Sequence, residues 1–341
     1  MKTIKVKLEE AIGMVLCHDI TEIVPGEKKG RAFSKGHIIQ PQDLDKLRSL
    51  GKNHIHVLDM EKDDIHEDDA AILLGKVLAG SSIEATEPYE SRVNLVAKAN
   101  GLLKINLKAL YEINSIDDVT AATLSNYSIV KQGEIVAGTK VTPLTVKQAI
   151  LDEVINIEKR EGKVLNILPF KKVKAGVIIT GTEVYRGIIK DAFEPVLRQK
   201  VEKLGGSVIH VSFAPDDEEF IKGEIEKAVG AGCDIIMVSG GMSVDADDVT
   251  PKAIKSISKV VKYGSPVLPG AMFMLGYIDE IAVVGIPACG MYSKITVLDI
   301  IYPRLAAGLK VTKEDIIALA NGGLCRKCEA CTFPVCSFGK G

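Results

Sequence analysis

The sequence predicts an α/β fold: a three-layer, parallel-sheet domain in the C-terminal half, preceded by smaller α+β and β-rich regions. Three observations carry that reading. From residue 173 onward, uninterrupted apolar runs alternate with amphipathic stretches, the pattern of parallel strands buried on both faces and joined by crossover helices. Before 173, short apolar runs are broken by Gly, Asn and charged residues, which fits short strands and helices of a different architecture. Finally, 341 residues is more than one hydrophobic core usually serves, so two or three domains are expected.

Residues 1–62 form a first α+β region. IKVKL (4–8) alternates like a strand, PQDLDKLRSLG (41–51) is a short amphipathic helix stopped by Gly51, and HIHVLDM follows as a strand. His54 and His56 share one face of that strand. With no third ligand nearby they read as an ordinary half-exposed strand face rather than a metal pair. The acidic run EKDDIHEDDA (61–70) marks a boundary with a helix start inside it. Residues 63–172 read as an α+β or small-barrel region, with KQGEIVAG as a hairpin about Gln132-Gly133. No catalytic constellation appears in this part.

In 173–310, the strands are AGVIIT (175–180), SVIHVSFA (207–214), CDIIMVSG (233–240), FMLGYI and EIAVVGIP. DAFEPVLRQKVEKLGG is a helix stopped by Gly205-Gly206, and DDEEFIKGEIEKAVGAG carries acids in its first turn, as the helix dipole favours. TPKAIKSIS and SKITVLDIIYPRLAAG complete the helices. Residues 311–341 are a helix, KEDIIALANGG, followed by a Cys-rich tail.

Composition excludes several classes. Apolar residues at 46%, charged residues at 26%, 31 Gly and 13 Pro are ordinary for a globular chain, so a disordered or collagen-like protein is ruled out. A net charge of −2 gives no general attraction for nucleic acid or anionic membrane. Aromatics at 5%, with no Trp, leave few platforms on which bases could stack. The opening MKTIKVKLEEAIGMVL is broken by charges and lacks a signal-peptide core, and no apolar run approaches about 18 residues. A cytoplasmic protein is expected.

In open parallel sheets, ligands bind outside the carboxyl ends of the strands, so the residues just after each strand are the informative ones. They are Thr180-Gly181-Thr182-Glu183, Pro215-Asp216-Asp217, the run Ser239-Gly240-Gly241 to Asp247-Asp248-Val249-Thr250-Pro251, and Ile286-Pro287-Ala288-Cys289-Gly290. Gly240 and Gly241 let backbone N–H groups approach anionic oxygens. Ser239, Ser243, Thr250 and Thr180 add hydroxyls. Asp216, Asp217, Asp247 and Asp248 would repel a phosphate, and a bridging Mg²⁺ reconciles the two. Either loop alone reads as a tight turn or a helix cap; their convergence on one edge points to a ligand site. P-loop, GxGxxG and GxSxG motifs are absent.

ITGTE (179–183), PDDEEF (215–220), SGGMSVDADDVTP (239–251), LPG (268–270) and GIP (285–287) occur in an order that resembles the molybdopterin-binding domain shared by molybdopterin adenylyltransferase and molybdopterin molybdenumtransferase. The resemblance covers 173–308. The opening KVKLEEAIGMVLCHDI more loosely resembles the N-terminal part of the molybdenumtransferase branch. The resemblance implies molybdopterin or adenylylated molybdopterin as ligand, Mg²⁺ as cofactor, a role in molybdenum cofactor biosynthesis and a homo-oligomer. It places the glycine loop on Gly240 and Gly241, the essential acid after it on Asp248, a second acid on Asp216 or Asp217, and an acid of the first loop on Glu183. Thr180, Gly181, Ser239, Ser243, Asp247, Thr250 and Pro287 complete the expected binding edge.

Departures are informative. The family's TGDE reads TGTE here, with Thr182 in place of Asp. Its PGKP-like run is Pro269-Gly270-Ala271-Met272, without the Lys, and its LPGNP-like loop has become Ile286-Pro287-Ala288-Cys289-Gly290. The lost Lys removes a cation that could hold molybdate or phosphate. Pterin binding is therefore better supported than metal insertion. Cys289 reads as a buried inert thiol rather than a ligand.

The tail Cys325-x2-Cys328-x2-Cys331-x4-Cys336 lies outside that family's usual pattern. In a reducing compartment four such thiols read as a metal site before disulfides. The spacing is one residue longer than the ferredoxin C-x2-C-x2-C-x3-C-P run and lacks its Pro, so Zn²⁺ and a [4Fe–4S] cluster both stay open. Three functional readings follow: a molybdenumtransferase-like enzyme using Asp248, Asp216 or Asp217 and Glu183; a non-catalytic carrier or sensor of the cofactor; or a metal- or redox-responsive adaptor whose tail meets molybdoenzymes or cofactor-synthesis proteins.

Overall fold

The computed structural model describes residues 3–24, 28–242 and 248–340. Its centre of gravity is a six-stranded sheet in the order Ser207–Ala214, Lys174–Thr180, Ile235–Ser239, Ile281–Ile286, Met274–Ile278, Lys259–Tyr263. The first four strands are parallel, as the alternation of strands and helices predicts. Met274–Ile278 and Lys259–Tyr263 extend the sheet antiparallel. The antiparallel extension follows from loop length: Asp279 and Glu280, a two-residue turn, join Met274–Ile278 to Ile281–Ile286, too short for a parallel crossover.

Both faces of the sheet are buried. Val177, Ile179, Met237 and Val284 face Leu197, Val201, Leu298 and Ile301 of the helices Phe193–Lys203 and Val297–Ala306. Ile178, Ile236, Val238 and Val283 face Ile221, Ile225, Ala253 and Ile254 of Glu218–Gly230 and Thr250–Ile257. Period-two alternation between two apolar layers explains why these strands read as continuous apolar runs. Asp217 caps the third of those helices by accepting from the Phe220 N–H, and Thr296 with Asp299 closes a capping box on Val297–Ala306.

The chain enters the sheet at Lys174–Thr180, steps to one side for Ser207–Ala214, then returns past its start to Ile235–Ser239. The order reverses between Thr180 and Ser239, which is where an open α/β sheet leaves a crevice for ligands.

The preceding residues pack on their own apolar clusters. Leu8, Leu16, Ile39, Leu47, Ile55 and Val57 form one beneath the antiparallel pair Thr3–Lys7 and His54–Leu58. His54 and His56 are both exposed on that pair, as an ordinary strand face requires. A second cluster, including Leu74, Val93, Leu95, Leu103, Ile113 and Leu151, sits among three helices and three antiparallel sheets. These sheets are open in their strand order, so α+β describes residues 63–172 better than a barrel. The hairpin expected about Gln132-Gly133 does not form. Ile129–Val130 pairs with Gly101–Leu102, whereas Ile135–Val141 pairs with Val93–Ala97 and Val119–Thr123. The turn therefore links two sheets. Among the described residues no helix is long and apolar enough to cross a membrane.

Phe273 is fully buried at the centre of the C-terminal core. Phe273→Ala should lower the stability of that unit by about 3–5 kcal/mol, read as a shift in its urea midpoint at unchanged slope.

Candidate functional site

The crevice is built by close backbone approach. Gly240 follows Ser239 with φ of +97°, and a Cβ there would lie 2.1 Å from the Thr180 carbonyl oxygen. Only glycine lets the two loops pass at this distance. Gly241 has φ of +50°, and its missing Cβ would meet the Thr250 hydroxyl oxygen at 2.8 Å. Thr180, Ser239 and Thr250 are buried beneath the two glycines. The Thr180 hydroxyl lies 3.1 Å from both the Ser239 carbonyl and the Thr250 hydroxyl. Ser239 Oγ is fully buried and has no hydrogen-bond partner among the described residues. A buried hydroxyl left without a partner costs free energy, and such groups in native folds commonly meet a ligand or water.

The acids fall into different environments. Asp216 Oδ2 accepts two hydrogen bonds, from the Thr182 N–H and the Thr182 hydroxyl, each at 2.8 Å. It latches the first loop to the second across 34 residues of sequence. Asp217 is occupied as the helix cap, accepting from the Phe220 N–H at 2.8 Å. Glu183 is exposed on the short helix Thr182–Tyr185. Asp248 is half-buried next to Gly241: its Oδ1 lies 3.7 Å from where a Gly241 Cβ would be. Burial first, and the Asp248 carboxylate second, push the Tyr263 phenol above its usual value. Pro287 is buried at the end of Ile281–Ile286, and Gly181 takes a positive φ after Lys174–Thr180. Ser243 and Asp247 lie outside the described residues. Cys289 is half-buried rather than buried, and that partial burial pushes its thiol up.

Among the described residues, no three His, Cys, Asp or Glu side chains converge to hold a metal ion. Mg²⁺ seldom needs such a set; one or two carboxylates suffice when substrate phosphates and waters complete its shell. Asp248, beside a glycine loop open to anionic oxygens, fits that donor chemistry. Met242 is the contributor that the motifs did not single out, and Thr182, noted in sequence only as a departure from Asp, supplies the latch. Met242 is buried under the glycine loop, its Sδ 3.1 Å from where a Gly285 Cβ would be. Neither has a local signal, because each acts through a residue more than thirty positions away.

Two family models match the chain. Residues 176–307 match one described as "Probable molybdopterin binding domain", and residues 5–59 match a domain of unknown function. The chain is 25% identical over 320 residues to a molybdopterin molybdenumtransferase of Haemophilus influenzae, covering 88% of this chain and 71% of that protein. A CinA-like protein of Mycobacterium avium is 32% identical over 81 residues, which is 24% of this chain and only 19% of that protein. Among solved structures, the tungsten cofactor synthesizing protein MoaB of Pyrococcus furiosus is 20% identical, with a TM-score of 0.33, covering 40% of this chain and 91% of that one. The C-terminal domain is therefore homologous to molybdopterin-binding domains of molybdenum cofactor biosynthesis.

Gly240→Ala forces a methyl into the Thr180 carbonyl at a left-handed position. It should cost at least about 1–3 kcal/mol, measured by chemical denaturation, and Ala at the open turn position Gly232 should cost less because nothing lies within 4 Å of its Cβ.

Proposed function

We propose that this chain binds molybdopterin or its adenylylated form at the carboxyl edge of the six-stranded sheet and acts in molybdenum cofactor assembly. The observation that supports it most is the crevice between Thr180 and Ser239, where two glycines uncover backbone beside a buried, unpartnered Ser239 hydroxyl. Phosphate oxygens of the ligand accept from N–H groups of the glycine loop, which Thr180 and Thr250, hydrogen-bonded to each other beneath it, brace from below. Asp216 fixes the first loop through Thr182, and Glu183 on that loop orients substrate or water. Asp248 holds Mg²⁺ against the phosphate. Mg²⁺, when bound, offsets the repulsion between this carboxylate and the phosphate.

The carrier or sensor reading is favoured over full molybdenumtransferase activity by one residue. Ala271 is exposed in the loop 265–271, where the related branch has Lys. The loop itself is well built: the Ser265 N–H donates to the Ala271 carbonyl at 2.8 Å, and the Ser265 hydroxyl donates to the Gly270 carbonyl. The scaffold for a cation is present and the cation is absent.

Calorimetric titration with molybdopterin tests the placement. Gly241→Asp, which puts a charge in the phosphate path, should abolish binding; unchanged binding would remove the site from this edge. Asp248→Ala should weaken Mg²⁺-dependent binding at least tenfold, about 1.4 kcal/mol, and metal-free binding far less. Equal losses in both would make Asp248 a fold residue. Molybdate insertion by the wild-type protein should be near background, and Ala271→Lys should raise it. Robust insertion by the wild type would restore the enzyme reading.

A further inference from the structure

The residues after the helix Lys313–Ala318 form no further helix or paired strand, yet they are not loose. Leu324 bridges Leu268, with the Leu268 N–H donating to the Gly323 carbonyl and the Cys325 N–H to the Leu268 carbonyl, both at 2.8 Å. Phe338 is 5% exposed and belongs to the core of the sheet domain. Between these two anchors the chain arches over a cavity of about 310 Å³. Cys325, Cys328, Cys331 and Cys336 all line it, and all four thiols are free.

The geometry distinguishes two kinds of metal site. A single Zn²⁺ draws four sulfurs to about 2.3 Å from one point, leaving no void. Here all four cysteines line one void, and among the described residues no three His, Cys, Asp or Glu side chains group closely enough to hold a single metal ion. A cubane cluster has the opposite requirement. Its four iron corners each take one thiolate, so the sulfurs stand apart around a body of metal and sulfide. The walls also suit such a body. Phe333, Phe338 and Ile295 supply apolar cover, while Lys294, Arg326 and Lys327 bring positive charge to a group that four thiolates make anionic.

We propose that Cys325, Cys328, Cys331 and Cys336 hold a [4Fe–4S] cluster in this cavity. Each thiol gives up its proton on ligation; ferric iron and sulfide come from outside the chain, and a thiol reductant brings the iron to the cluster's mixed ferrous–ferric level. The site stands beside the carboxyl edge of the sheet: Tyr292, which ends the short helix Cys289–Tyr292 after Pro287, and the following Ser293, Lys294 and Ile295 all line the cavity.

Anaerobic purification of the full chain, followed by reconstitution with iron, sulfide and dithiothreitol, tests the proposal. The expected product is brown and retains about four iron and four sulfide per chain. Cys328→Ser and Cys331→Ser, both at exposed positions, should lose most of the iron while keeping the wild-type circular dichroism, and Cys17→Ser should lose none. One zinc per chain with no visible colour would overturn the cluster in favour of a mononuclear site. Four freely titrating thiols with neither metal would overturn any metal site. These readouts need no pterin, so their failure leaves the pterin reading standing.

Discussion

The central strands are buried on both faces. Val177 and Ile179 face one helical layer and Ile178 the other; Met237 divides from Ile236 and Val238 in the same way. A polar side chain on either face would be stranded without water. Polar chemistry is thereby confined to the strand ends, and the reversal of strand order decides which ends matter. Thr180 and Ser239 end adjacent strands whose chains then depart in opposite directions. The close approach of the two loops that form the crevice depends on the absence of a side chain at Gly240. Fold, crevice and glycine loop are consequences of one constraint, the two-sided apolar sheet.

Much of this was legible from residue order because double burial writes itself as uninterrupted apolar runs. AGVIIT and CDIIMVSG fall on observed strands for that reason. Lys259–Tyr263 escaped notice because it is an edge strand with a mixed run, KVVKY, and only Ser258 separates it from the helix Thr250–Ile257. The turn at Gln132-Gly133 was legible as a turn, but Ile129–Val130 pairs back with Gly101 and Leu102, whereas Ile135–Val141 lies between Val93–Ala97 and Val119–Thr123 in a different sheet. Turn chemistry is local and pairing is not. The glycine loop could be read from sequence. The Thr182–Asp216 latch could not, since nothing near either residue announces the other.

That latch changes how the acidic edge should be understood. In the related motif, the position of Thr182 carries an Asp, which would face Asp216 as a like charge and require a cation or a proton between them. Thr182 instead donates twice to one oxygen of Asp216. The pair holds the loop without a metal. Asp217 is similarly committed to its helix. The carboxylate chemistry of the crevice therefore shifts toward the loop that carries Asp248, and away from the second strand's loop, which has become part of the frame. Ala271 continues the same trend on the cationic side, where a charged side chain of the related branch is reduced to a methyl.

The Cys tail connects to that altered edge through a physical clamp. Leu268 gives its N–H to Gly323 and takes the N–H of Cys325, so the tail and the loop 265–271 are joined at their shared bridge. The loop's far side is held by Ser265, which ties Gly270 and Ala271 back to its own start. An irregular segment loses backbone entropy of about 1–2 kcal/mol per residue on ordering, and one buried Phe338 returns only about 1.5–3 kcal/mol. The clamp alone adds two hydrogen bonds of modest net worth. The Gly339 N–H donating to the Gly322 carbonyl at 3.0 Å, and Phe333 and Cys336 packed on the same core, add to these anchors. Because Leu268 lies in the middle of the clamp, whatever closes that cavity also fixes the loop that borders the candidate pterin edge.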